Sequence, residues 1–256
     1  MPAGRLPATA PLWRELARTK LHHTEGLIDL HQLKRELSQD LAPLTARGWL
    51  ATQPEALQRW AAGAGRWRFF ENHQMLYQAG EEPDGLYGLG AGALDITLPL
   101  VGGEPVTIHR AEPGFWIGDS AILAQTTRLI TVAAAAKSRV FFIPATAVRA
   151  VVAQRPEYWP CFFALNHLNA STAVTALAEA LSLSPKARLA RMLLRLAGDG
   201  DQVTASQADL ARLIGMNRSS LQRALQELIE AGALATGYRR LRVLDRGRLE
   251  SVTDEA

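Results

Sequence analysis

The sequence predicts an α+β fold in which an N-terminal antiparallel β-roll of jelly-roll type is joined by one long helix to a small C-terminal domain of helices and a hairpin. Three observations predict it. Between Arg66 and Pro144 the chain breaks into short alternating or apolar segments, with glycine or proline mostly between them. From Pro156 to Leu183 it carries continuous helical periodicity. From Thr204 to Leu244 a helix, a glycine, a second helix and a hairpin follow in that order. With 256 residues, 48 % of them hydrophobic, the chain can form two cores.

In chain order, Met1 to Pro11 holds three prolines and is expected to be loose. Leu12 to about Asp40 reads as helical on Leu12, Leu16, Leu27, Leu30, Leu33 and Leu37, giving an N-terminal helical extension over 1–49. His22, His23 and His31 lie on it without the carboxylate or cysteine pattern of a metal site. A short helix begins near Thr52-Gln53-Pro54-Glu55, with Leu57 and Trp60 as its buried contacts. The roll occupies 50–155, with strands expected at Arg66–Phe70, Gln74–Gln78, Gly85–Leu89, Ala93–Leu98, Val106–Arg110, Phe115–Ile117, Leu129–Ala134 and Arg139–Ile143. Such a barrel has an interior that could hold a small ligand.

The helix over 156–183 presents Tyr158, Phe162, Leu165, Leu168, Thr172 or Thr175, Ala176 and Leu181 as a mostly apolar stripe. We expect it to pair with its symmetry mate, making the protein a homodimer. Residues 184–256 form the second domain, opened by Ser184 as a cap and Pro185 at the first helical position.

Within it, Ser206 with Asp209 three residues later marks a helix start. Leu210, Leu213 and Ile214 share one face, and Gly215 can adopt the left-handed turn that ends this helix. Asn217 caps a second helix whose Leu221, Leu225 and Leu228 face inward, leaving Arg218, Ser219, Gln222 and Arg223 outside. Gly232-Ala233-Leu234 and Leu241 to Leu244 then read as strands around the arginine-loaded tip Thr236 to Arg240. This order describes a winged helix-turn-helix, with long donors where a helix entering a major groove needs them.

Charge agrees with that reading. The formal net charge is only +3, and residues 1–183 carry 16 residues of each sign. From Arg212 to Arg248 there are eight basic residues against three acidic ones, so the positive field is concentrated on the motif. A single cysteine, Cys161, excludes an intrachain disulfide framework, a four-cysteine iron–sulfur cluster and a cysteine-based zinc finger. No apolar run is long enough to span a bilayer, and the start lacks the order of a secretion signal, so the protein reads as cytoplasmic. An enzyme is not expected. A metal-dependent cupin needs converging histidines, and residues 66–144 contain only His73 and His109.

The fragments GEEPDGLYGLGAGALDI, GFWIGDSAIL with TTRL, and SQADLARLIGMNRSSLQRALQELIEAGAL together resemble the Crp/Fnr family of bacterial transcription regulators over roughly Leu50 to Leu244. The resemblance implies a cyclic-nucleotide-binding-like sensor roll, a dimerising helix and a DNA-binding winged helix. It also implies double-stranded DNA and RNA polymerase as partners. Candidate DNA contacts are Ser206, Asn217, Arg218, Ser219, Ser220, Gln222, Arg223, Arg239 and Arg240.

The family's phosphate-binding cassette implies Gly118 and Arg128 as candidate effector contacts, with Asp119 standing where the family has Glu and Leu129 where it has Ser or Thr. Its adenine-contacting hydroxyl residues fall at Ala173 and Val174. With half of that polar set replaced, cyclic AMP is not the expected effector. Haem has no local ligand pattern, and the single cysteine cannot hold the family's iron–sulfur cluster. Two readings follow: a dimeric regulator of a palindromic operator modulated by an unidentified small molecule at the roll, or an effector-independent DNA binder whose barrel is a scaffold. The space beside Arg128 discriminates them, according to whether it is open and polar or filled by side chains such as Leu129 and Val174.

Overall fold

The computed structural model describes residues 41–99, 105–198, 200–203, 205–237 and 240–254. The helical reading of Leu12 to Asp40, with its three histidines, falls outside them, as do Tyr238 and Arg239 of the expected arginine-loaded tip.

Two short helices, α1 (Ala42–Thr45) and α2 (Glu55–Ala64), precede eight strands. These are β1 (Arg66–Phe70), β2 (Met75–Tyr77), β3 (Gly85–Ala91), β4 (Leu94–Leu98), β5 (Val106–Ala111), β6 (Trp116–Ile117), β7 (Thr131–Ala134) and β8 (Ser138–Pro144), with α3 (Asp119–Ala124) between β6 and β7. They form two four-stranded antiparallel sheets, ordered β1-β8-β3-β6 and β2-β7-β4-β5. All eight expected segments form strands. Tyr77, Tyr87, Leu89, Leu94, Ile96, Val132, Val140 and Phe142 fill the space between the sheets.

β3 and β8 are buried on nearly every residue rather than on alternate ones. The reason is that helices cover the outer face of their sheet. Leu86, Phe141 and Ile143 pack there with Leu57 of α2, Val148 of α4 (Ala145–Gln154), and Phe162 and Leu165 of α5 (Trp159–Ser182). Leu41, Leu44 and Trp49 belong to the same core, so packing of the roll reaches ahead of residue 50. Trp49 is tied twice: its indole nitrogen donates to the Cys161 carbonyl at 2.7 Å, and its ring meets Trp116 edge-on at 5.4 Å.

α5 follows a 3-10 turn at Pro156–Tyr158 and runs for 24 residues, a length of about 36 Å. Its apolar residues divide between two faces. Phe162 and Leu165, with Tyr158 of the preceding turn, are buried on the roll, whereas Phe163, Val174, Leu177 and Leu181 are exposed. The single stripe expected from the sequence is therefore corrected. Its N-terminal members belong to the roll's core, and the outward stripe is Phe163, His167, Ala170, Val174, Leu177 and Leu181, alternating spacings of three and four.

The C-terminal domain packs α6 (Pro185–Ala197), α7 (Gln207–Ile214), α8 (Arg218–Glu230) and α9 (Arg246–Asp254) around Leu189, Leu193, Leu210, Leu221, Leu225, Leu228 and Leu249. A three-stranded sheet, β10-β11-β9, completes it from β9 (Gln202–Val203), β10 (Leu234–Gly237) and β11 (Arg240–Val243). The hairpin's first strand starts at Leu234 rather than Gly232. α7 also lies against β5 of the roll. Among the described residues no helix is long and apolar enough to cross a membrane.

Candidate nucleic-acid interface and roll interior

α7 begins where the capping pattern predicted. Ser206 Oγ accepts from the Asp209 backbone N–H at 3.1 Å and donates to Asp209 Oδ2 at 2.6 Å. Burial works against the Asp209 carboxylate, but the Ser206 hydrogen bonds and the Arg212 and Arg110 charges outweigh it and hold its pKa below the ordinary range. Ser206 thus has little hydrogen-bonding capacity left for a phosphate. Gly215 ends α7 at φ 62° and ψ 37°, a left-handed conformation costly for residues with a Cβ. The turn delivers Asn217, whose Oδ1 accepts from the Ser220 backbone N–H at 2.8 Å and starts α8.

On α8, Arg218, Ser219, Gln222 and Arg223 are exposed, while Leu221, Ala224, Leu225 and Leu228 are buried; Ser220 lies half-buried at the boundary. Charge counting along the sequence could not separate the arginines of this domain by role. Arg212 pairs with Asp209, Arg242 with Asp201 and Arg248 with Asp245, and Arg246 donates to the Gly198 carbonyl. Arg218, Arg223 and Arg240 form no salt bridge among the described residues. They are exposed cations on the outer face of α8 and at the hairpin.

The roll interior departs from expectation. Arg128 is only 3 % exposed, and its guanidinium is engaged within the chain. Nη1 donates to the Gly118 carbonyl at 3.1 Å; Nη2 donates to the Gly85 carbonyl at 2.6 Å and to Asp84 Oδ1 at 3.0 Å. The charge sits 4.1 Å from the centre of the Tyr77 ring. Tyr87 donates to Asp84 Oδ2 at 2.6 Å, closing the cluster. Burial, the largest influence, raises the pKa values of Tyr77 and Tyr87 well above the ordinary phenol range. Gly118 has φ 109°, and a Cβ there would stand 2.6 Å from Arg128 Nη1. The close approach this glycine permits is therefore made by Arg128 itself.

The remaining candidates do not converge on Arg128. Leu129, expected beside a ligand phosphate, is 75 % exposed, because it faces away from the buried Arg128 as the chain approaches β7. Ala173 and Val174 are exposed on α5. The space beside Arg128 is filled, but by Tyr77, Tyr87 and Asp84 rather than by Leu129 and Val174. Asp84 lies 44 residues from Arg128, immediately before β3, and nothing in its local sequence marks it as a partner.

Asp119 is buried against α5, where Asn169 Nδ2 donates to its Oδ1 at 3.2 Å and to the Trp116 carbonyl at 3.1 Å. Burial raises its pKa, and hydrogen bonds from Asn166 and Asn169 offset only part of that. Asp119 Oδ2 and Asn169 Oδ1 both lack a well-directed donor. Replacing Asp119 by Asn removes a buried charge and supplies a donor, so Asp119→Asn is expected to stabilise the fold by about 1–2 kcal/mol at pH 7.5. Folding favours the protonated carboxyl of the wild type. The variant's advantage is therefore full above the raised folded-state pKa and shrinks as pH falls toward the ordinary carboxylate range. Urea unfolding of both proteins at several pH values measures this, and a variant no more stable at pH 7.5 would contradict the buried-charge account.

Comparison with known proteins agrees with this geometry. Residues 67–155 match the cyclic nucleotide-binding domain, and residues 187–252 match the Crp-like helix-turn-helix domain. The chain belongs to the Crp/Fnr family of transcription regulators. Among curated relatives of this Crp/Fnr protein, the transcriptional regulator LdrP of Thermus thermophilus is 28 % identical over 190 residues, covering 71 % of this chain and 93 % of the relative. Two solved structures share the Crp/Fnr fold. FixK2 from Bradyrhizobium japonicum aligns at TM-score 0.65 with 17 % identity, over 73 % of this chain and 96 % of its own. A Crp/Fnr-family regulator from Thermus thermophilus aligns at TM-score 0.63 with 20 % identity, over 74 % of this chain and 98 % of its own.

Proposed function

We propose that this Crp/Fnr regulator binds a palindromic operator as a homodimer and that its roll serves as a scaffold rather than as a cyclic-nucleotide receptor. One observation carries the DNA reading: Arg218, Gln222 and Arg223 share the exposed face of a helix whose other face is buried, while four neighbouring arginines are engaged inside the domain. Residues 156–183 supply the dimer contact through the outward stripe of α5, and residues 184–256 supply the reading head. The cyclic-nucleotide residues do not fit a ligand, because Arg128 is neutralised by Asp84 and Asp119 is turned into α5. This favours effector-independent binding over modulation at the roll interior. A DNA-binding regulator of this kind works in the cytoplasm.

Selection of bound duplexes from a random pool, followed by titration over salt, tests the reading. A palindrome with half-sites about one helical turn apart is expected. Arg223→Ala should relax one position of each half-site, at about 1–3 kcal/mol. Arg239→Ala and Arg240→Ala should weaken binding to every sequence and flatten its salt dependence. Uniform loss from Arg223→Ala would remove its base-reading role.

A further inference from the structure

The cap of α8 fixes what its second residue can say to a base. Asn217 has two ends, an acceptor oxygen and a donor nitrogen, and the Ser220 backbone N–H decides between them: the atom 2.8 Å from that donor must be the oxygen. Ser219 Oγ lies 2.8 Å from the same oxygen. Asn217 Oδ1 carries no proton, so the bond requires the hydroxyl proton of Ser219. A hydroxyl has one proton and two lone pairs, and with the proton committed only the lone pairs face outward.

We propose that Ser219 reads its base as an acceptor only and so selects adenine or cytosine on the strand it faces. In the major groove the amino groups are adenine N6 and cytosine N4, whereas the hydrogen-bonding atoms of guanine and thymine are acceptors. A free serine rotor would serve either class; this one is locked by the cap. The same lock turns Asn217 Nδ2 outward with two donors, suited to a phosphate oxygen. The inference rests on the reading of α8 as the groove-entering helix.

The test uses the full-length protein with a selected operator and its four base variants at each half-site position. The position facing Ser219 is the one whose preference changes in Ser219→Ala. There the wild type should bind adenine or cytosine about 3- to 10-fold more tightly than guanine or thymine. Replacing adenine by purine, or cytosine by 2-pyrimidinone, deletes only the amino group and should cost the same factor. Ser219→Ala should level the four bases. Asn217→Asp keeps the capping oxygen and so keeps the preference, while its added charge weakens all operators alike. A Ser219-dependent preference for guanine or thymine, or analogues bound as tightly as their parents, overturns the inference. If Arg223→Ala relaxes the operator while Ser219→Ala changes nothing, this inference alone falls. If the wild type selects no sequence, the operator reading falls with it.

Discussion

Replacing Leu177 and Leu181 together by Glu should convert the protein to a monomer and lower its operator affinity by more than about a hundredfold, the scale on which two linked binding events exceed one. Both leucines are solvent-exposed within the chain, at 59 % and 80 %, so the substitutions leave its own core intact. What they remove is the apolar surface offered to a second copy, where each leucine contributes about 1.5–3 kcal/mol on full burial. Four like charges would also face one another across the seam. Sedimentation equilibrium reads the oligomeric state, and titration against a full operator and an isolated half-site reads the consequence. Half-site affinity should be unchanged. A double variant that remains dimeric, or a monomer that binds the full operator as well as wild type does, would show that α5 is not the pairing element.

Arg128→Ala should lower the unfolding free energy by about 3 kcal/mol while leaving any response to cyclic AMP absent in wild type and variant alike. The substitution strips hydrogen bonds from the Gly85 and Gly118 carbonyls and from Asp84, and removes a cation from the face of Tyr77. Asp84 remains partly hydrated, which keeps the cost below that of isolating a fully buried carboxylate. Chemical denaturation and calorimetry measure the two halves. Micromolar cyclic AMP binding lost on Arg128→Ala, with little change in stability, would return this arginine to ligand recognition.

The roll was legible because turn residues punctuate it and because strand alternation needs only neighbouring positions. The helix-turn-helix was legible for a similar reason: Ser206 with Asp209, Gly215 and Asn217 act within a few residues of themselves. α5 was harder. Apolar residues occur around most of its circumference, so periodicity cannot say which of them meet the roll and which stay exposed. The effector residues were least legible. Arg128, Gly118 and Asp119 were visible as types, but Arg128 is answered by Asp84 and Asp119 by Asn169, 50 positions away. Such pairings depend on how distant strands and helices come together.

The placement of α7 on β5 bears on how this protein can be divided. Among the described residues β5 is the outermost strand of its sheet, with only β4 as a strand neighbour, and an outermost strand presents backbone donors and acceptors that other chains can pair with. The first helix of the helix-turn-helix, α7, lies against it. The reading head is thus also a guard on the roll, and cutting the chain after the long helix would not yield two inert halves. It would release a roll with a freshly bared margin, prone to stack on its own copies.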